Sequence, residues 1–134
     1  FLATWDIPLL AGRFFDGRDR ADSDPVAVID EALAQRLWPG LDPLGQRLQV
    51  NPQRERVEVL TVVGVVAALH LDRVENRRNP GYLVPLRQQP SNFTTLAVRA
   101  RGDASALAPL LAEAVRAEQP DTAVYWVRTQ AQAL

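Results

Sequence analysis

Residues 26–50, VAVIDEALAQRLWPGLDPLGQRLQV, constrain the fold more than any other part of the chain. Val26, Val28 and Ile29 are β-branched, so residues 26–29 predict a short strand. Asp30 follows at the N-cap position, where its side chain can accept from a free N–H in the first turn of a helix. Leu33 and Leu37 stand at i and i+4, and with Trp38 they predict that helix's buried stripe. Pro39-Gly40 stops the helix, and Pro43 and Gly45 mark a second turn. Residues 46–50 predict a strand with Leu48 and Val50 on one face. The whole block is packing and turn chemistry and contains no reactive group.

On either side the same grammar continues. Residues 1–7 predict a short helical end, with Phe1, Leu2 and Trp5 on one side, and residues 7–13 predict extended chain because Pro8 disfavours helix before it. Phe14-Phe15 should anchor this segment, and residues 16–24 should form a charged, solvated loop. Residues 51–56 are polar and fit a hairpin connection. Residues 57–66 begin in alternation and become apolar on both faces, which predicts a strand entering the core. Gly64 within it predicts a close approach by another backbone. A polar loop over 71–81 leads to an edge strand over 82–86, since Pro85 cannot donate to a ladder, and 88–92 should be a linker-like turn. The tail predicts strand 95–101, then a helix capped by Ser105 with Pro109 in its first turn, then strand 123–127. That is a parallel, right-handed βαβ unit. The fold class is α+β.

Composition removes several functions. A net charge of −1 gives no field for nucleic acid, and without Cys there is no thiolate chemistry. No apolar run approaches the roughly 20 residues of a membrane helix. The chain has no Met and opens with Phe1, so it reads as a piece of a longer protein. All fifteen basic residues are Arg, scattered among acids, which fits codon bias better than a basic surface.

Each candidate site residue has a stronger structural reading. His70 is the only histidine and lacks a ligand partner, so strand-end packing is expected. Asp19, Asp22 and Asp24 lack the spacing of a calcium loop. Ser23, Ser91 and Ser105 have no nucleophile-elbow context, and Gly12, Gly17, Gly40 and Gly45 form no phosphate loop. Residues 75–79, ENRRN, are a small basic spot best read as a solvated face. Trp5, Trp38 and Trp126 are expected in cores rather than on a ligand platform. An exposed apolar groove near Trp5, Phe14 and Phe15 would instead suit a protein partner. No catalytic residue, cofactor site or metal site is expected.

Five segments occur in a set order: IPLLAGRFF from Ile7, a charged loop, PVAVIDEALAQRLWPGLDPLGQRL from Pro25, VVGVV from Val62 and YLVPL from Tyr82. With the tail from Leu96 they resemble the periplasmic core domain of MacB-like ABC transporter permeases, relatives of the FtsX-type permeases. The resemblance implies that residues 1–92 form an inserted mixed α/β (Sabre-like) lobe. It implies that 93–134 form the second βαβ half of a porter-like lobe whose first half lies upstream. It further implies a non-catalytic domain on the periplasmic side of the inner membrane, held by flanking membrane helices. ATP would be hydrolysed by a cytoplasmic ATPase subunit or domain, and the motion relayed through a permease dimer to export or extract a substrate. A periplasmic adaptor or a cell-wall hydrolase is the implied external partner, the latter in an FtsX-like regulatory reading.

Overall fold

Three strands converge on one. In the computed structural model, which describes residues 1–51, 57–69 and 80–133, the long strand β4 (Glu58–Val66) is the axis of the sheet. Strands β3 (Arg47–Val50) and β1 (Leu9–Gly12) pair antiparallel with its first and second halves. Strand β2 (Val26–Asp30) runs parallel to it, and β5 (Tyr82–Leu83) closes the far edge against β2. The order is β1-β4-β2-β5, with β3 also on β4. Helix α1 (Leu2–Trp5) precedes the sheet, and α2 (Glu31–Leu37) links β2 to β3.

Both faces of the sheet are covered, which explains the unbroken apolar runs. One face packs Ala27, Ile29, Leu48, Val50, Leu60, Val62 and Val65 against Ala34, with Leu33, Trp38 and Leu44 around them. The other packs Val28, Val66 and Leu69 against Leu2, Ile7, Phe14 and Phe15. The β2–β4 register jumps from Ala27↔Val62 to Val28↔Gly64, so Val63 is an extra residue. A bulge of this kind reverses which face each later side chain meets. It places Val65 with Val62, and it is why alternation fades along β4. Gly64 lies in this kink, where a Cβ would run into the Arg13 carbonyl oxygen. The close backbone approach expected there is present.

Most of the predicted elements of the first 95 residues form, with two corrections in α2, one in the charged loop and one at the edge strand expected over 82–86, which covers only Tyr82–Leu83. Asp30 caps α2, its carboxylate accepting from Leu33 N–H at 2.8 Å. Leu37, however, is 43% exposed. It is the last helical residue, and Trp38 leaves helical geometry and packs half-buried on the sheet in its place. Ala34, not Leu37, is the helix's buried residue. The charged loop is not wholly solvated either, because Asp19 is only 3% exposed. The expected 51–56 connection, His70 and most of the 71–81 loop lie outside the described residues.

The chain divides into two compact units, Phe1–Thr95 and Leu96–Leu134. The second contains a 3₁₀ turn (Ala104–Ala106), helix α3 (Leu107–Glu118) and helix α4 (Gln130–Ala133). Ser105 is not the helix cap: Asp103 caps the 3₁₀ turn by accepting from Ser105 N–H at 2.9 Å, and α3 starts from Ala106 without a side-chain cap. Pro109 falls in the first turn of α3, where its missing N–H costs nothing. The two strands expected at 95–101 and 123–127 are absent. Alternation makes a segment amphipathic when extended, but only a ladder partner makes it a strand, and neither segment has one among the described residues. Trp126, at φ +51°, also breaks the extended geometry of the second segment.

Candidate functional site

The most organised polar group is a clamp between β1 and the charged loop. Arg13 donates from Nη1 and Nη2 to the two oxygens of Asp19, each at 2.8 Å. Asp19 also accepts from Asp16 N–H at 2.9 Å, and Arg13 reaches the Phe14 carbonyl at 3.1 Å. The hydrogen bonds from Arg13, opposed by burial, hold the Asp19 carboxyl below the usual carboxylate range, and the same bonds raise Arg13. Asp16 pairs with Arg18 at 2.8 Å, and its carboxyl is lowered chiefly by that hydrogen bond. Every charge in the clamp is spent on an internal partner, so it orders the loop rather than offering a proton or a ligand.

The other singled-out residues are equally engaged. Asp22 takes Arg20 at 3.0 Å, and Asp24 contributes its carbonyl to Gln88 at 3.0 Å. No group of three or more His, Asp or Glu side chains among the described residues is placed to hold a metal ion. Ser23 donates to the Arg20 carbonyl, Ser91 to that of Phe93, and Ser105 to Asp103. Gly12, Gly40 and Gly45 adopt positive φ in turns or bulges, and Gly17 stands in open space. Residues 75–79 and His70 lie outside the described residues. The tryptophans do not meet the expectation of three core residues. Trp38 packs on the sheet, but Trp5 is exposed beside Phe1 and Trp126 is 77% exposed in the second unit.

Two surfaces of the first unit remain. A cleft of about 360 Å³ opens between the 21–26 segment, the start of β4 and residues 84–89. Val26, Leu60 and Val84 are among its lining residues, and among the described ones Glu58 is titratable and already bonded to Gln89 at 2.9 Å. A second surface is aromatic. Phe1 stacks on Phe14 with centroids 6.4 Å apart, Phe14 meets Phe15 at 4.7 Å, and Phe1 meets Trp5 at 6.5 Å. Phe14 and Phe15 are half-buried in the sheet's second face, whereas Phe1 (55%), Trp5, Leu9 and Leu10 are exposed. The aromatic cluster is thus half-buried at Phe14 and Phe15 and open to solvent at Phe1 and Trp5.

Sequence reasoning missed two polar hubs. Asp30 is 1% exposed, and besides capping α2 it accepts from Gly81 N–H at 2.9 Å and Leu69 N–H at 3.4 Å. Gln88 gathers the 20–26 segment through four bonds. An Asp at the end of a wholly apolar strand was a signal for the first. A glutamine in a polar turn gave none for the second.

Comparison with known proteins places this architecture. The family model described as MacB-like periplasmic core domain matches residues 1–117. Over 44 residues the chain is 43% identical to the macrolide export ATP-binding/permease protein MacB of Azoarcus sp. (strain BH72), a stretch covering 33% of this chain and 7% of that protein. The crystal structure of the periplasmic region of MacB from Actinobacillus actinomycetemcomitans superposes with a TM-score of 0.57 at 18% identity. That match covers 87% of this chain and 52% of the solved region, so the chain spans about half of it. No helix among the described residues is long and apolar enough to cross a membrane.

Proposed function

From the premise that this chain belongs to the MacB-like periplasmic core domain family, we propose that it is a mechanical relay in an ABC transporter permease. The domain stands on the periplasmic side of the inner membrane. A cytoplasmic ATPase subunit or domain supplies the work, membrane helices flanking this chain carry it, and a permease dimer exports or extracts the substrate. The observation that carries this reading is the family match over residues 1–117, and the shared fold with a MacB periplasmic region supports it. The physical character of the first unit agrees. A relay needs stiffness, and a sheet buried on both faces, pinned by a bulge and a half-buried ion pair, deforms little under load. We assign residues 1–92 to the inserted Sabre-like lobe and 93–134 to the second βαβ half of a porter-like lobe. Support for the second assignment is that α3 has no buried residue and that apolar residues on either side of it, Leu96, Val98, Tyr125 and Val127, are exposed.

The name of the Azoarcus relative suggests macrolides as the first substrate to try. The full-length protein, expressed with its ATPase in an efflux-deficient bacterium, should raise macrolide tolerance. The gain should vanish when a disulfide ties the domain to its dimer mate, while ATP hydrolysis continues. Unchanged transport in the tied protein would overturn the relay. A second reading is a module that regulates a cell-wall hydrolase, and the exposed Phe1, Trp5, Leu9 and Leu10 surface favours it. A wall-cleavage defect on changing Trp5 and Leu10, with transport intact, would select that reading.

A further inference from the structure

Strand β2 stops short of the start of β4, and the cleft of about 360 Å³ opens there. The parallel pairing of the two strands begins at Val26↔Thr61, whereas β4 begins at Glu58. On their other side the same residues are fully paired, Glu58 with Val50, Val59 with Gln49 and Leu60 with Leu48. Alternation fixes which backbone groups meet the cleft. Val62 N–H donates to the Gln46 carbonyl on the β3 side, and Thr61 N–H to the Pro25 carbonyl on the β2 side. Leu60 therefore bonds toward β3, and Val59, which lines the cleft, turns its N–H and carbonyl into it. One step further along the parallel ladder, the donor to Val59 would be residue 25, and Pro25 has no N–H. The acceptor would come from Ser23, but the chain has already turned there, with Ser23 N–H and Oγ both donating back to the Arg20 carbonyl. Among the described residues no ladder partner meets Val59 on this side. Gln88 holds the facing segment in place through Val26 N–H, Ser23 Oγ and the Asp24 carbonyl, so the segment cannot fold in on Val59 without breaking those bonds.

We propose that this slot receives an extended peptide segment of a partner protein, which adds to β4 as a short strand beside Val59 and sets a Lys or Arg against Glu58. A strand edge selects a polypeptide, because another backbone presents a donor and an acceptor at the matching spacing. The charge of the occupant follows from Glu58. It is exposed, its partner is the neutral Gln89 amide, and among the described residues no arginine pairs with it. Glu58 and Leu60 stand two residues apart on one face of β4, and Val57, 47% exposed, adds apolar lining. The segment should therefore carry its basic residue and an apolar one at i and i+2. Three residues of edge at ~3.3 Å each give about 10 Å of ladder, which suits a transient contact. The proposal goes beyond the relay reading and concerns the first unit alone.

The test uses the full-length protein in detergent and a capped heptapeptide, Thr-Val-Thr-Lys-Thr-Val-Thr, with a terminal fluorophore, together with versions carrying Leu or Phe in place of both Val. Fluorescence anisotropy gives the affinity and site-resolved amide exchange the location. Binding should slow exchange at Val59 N–H and leave Leu60 N–H, already facing β3, unchanged. Replacing the Lys by Glu should weaken binding roughly two- to fivefold, the worth of an exposed ion pair, and Glu58→Lys should reverse that preference. If Glu58→Lys loses amide protection along β4, Glu58→Gln carries the test and should abolish the preference. N-methylation of the Lys and its two neighbouring Thr should abolish binding. No binding by any of the three peptides, protection at the β1 edge in place of Val59, or equal binding of the N-methylated peptide would overturn the proposal. So would Val59 N–H already protected by self-association of the protein alone, which would give the slot to a second copy of this chain.

Discussion

At the scale of single residues, the first unit is held by contacts that tolerate no smaller or larger substitute. The Arg13–Asp19 pair is bidentate and its carboxylate is buried, so removing Asp19 strands a guanidinium with its partner gone. Asp19→Asn should cost about 1.5–3 kcal/mol at neutral pH, the range for hydrogen bonds to charged groups. The pH dependence has a definite sign. Asp19 is held below its ordinary value of 3.8 in the folded chain, so its contribution is complete above 3.8 and is lost as pH falls through the lowered value. The gap between native and Asp19→Asn urea midpoints should therefore narrow in acid, and a constant gap would contradict the assignment. Gly64 is the opposite case. Any side chain there meets the Arg13 carbonyl, a backbone atom that moves only if β1 leaves β4. Gly64→Ala should cost about 1–3 kcal/mol by overpacking, read as a lowered urea midpoint with faster exchange at Arg13 N–H, which bonds Val63.

At the scale of elements, α2 shows where sequence is informative and where it stops. Its cap, its start and its Pro-Gly stop follow from local chemistry, and all of them form. Which residue meets the sheet does not, because that depends on how the helix lies on β2 and β4. Leu37→Ala should change stability by about 0.5 kcal/mol or less, as at other exposed sites. Trp38→Ala should cost about 2 kcal/mol, below the ~3–5 of an enclosed aromatic, since Trp38 is only half-buried. Asp30→Ala should exceed both, because it removes a cap and leaves Gly81 and Leu69 N–H groups buried without an acceptor. Equal urea midpoints for the three variants would refute this ranking. The same division runs through the chain. Strands β2, β3 and β4 were legible because both their faces or one clean face are apolar. The Val63 bulge was not, since an inserted residue in a uniform Val run leaves no compositional trace. For the candidate surface, the aromatic residues were visible but their exposure was not. Phe14-Phe15 and Phe1 look alike in sequence, and only the fold puts the first pair half inside and Phe1 outside.

At the scale of the whole molecule, the two units should differ sharply in stability. The first encloses two apolar clusters around one sheet. The second has no buried side chain in α3 and exposes Leu96, Val98, Leu110, Tyr125 and Val127. Units below roughly 40 residues seldom bury enough apolar surface to offset their chain entropy without a staple or a partner. Leu96–Leu134 falls in that range and has no disulfide. Its one side-chain cap, Asp103, holds the 3₁₀ turn before α3, and a cap is worth about 1 kcal/mol and cannot fold a domain. Amide exchange should expose this. In the 134-residue chain alone, α3 should exchange orders of magnitude faster than β2 and β4, and the apolar residues should drive concentration-dependent self-association. In the full-length protein the same α3 amides should become protected, because further chain would supply the ladder and the face that Leu110 and Val115 need. Strong protection of α3 in the isolated chain at high dilution would mean the second unit is self-sufficient, and its assignment as half of a larger lobe would fall.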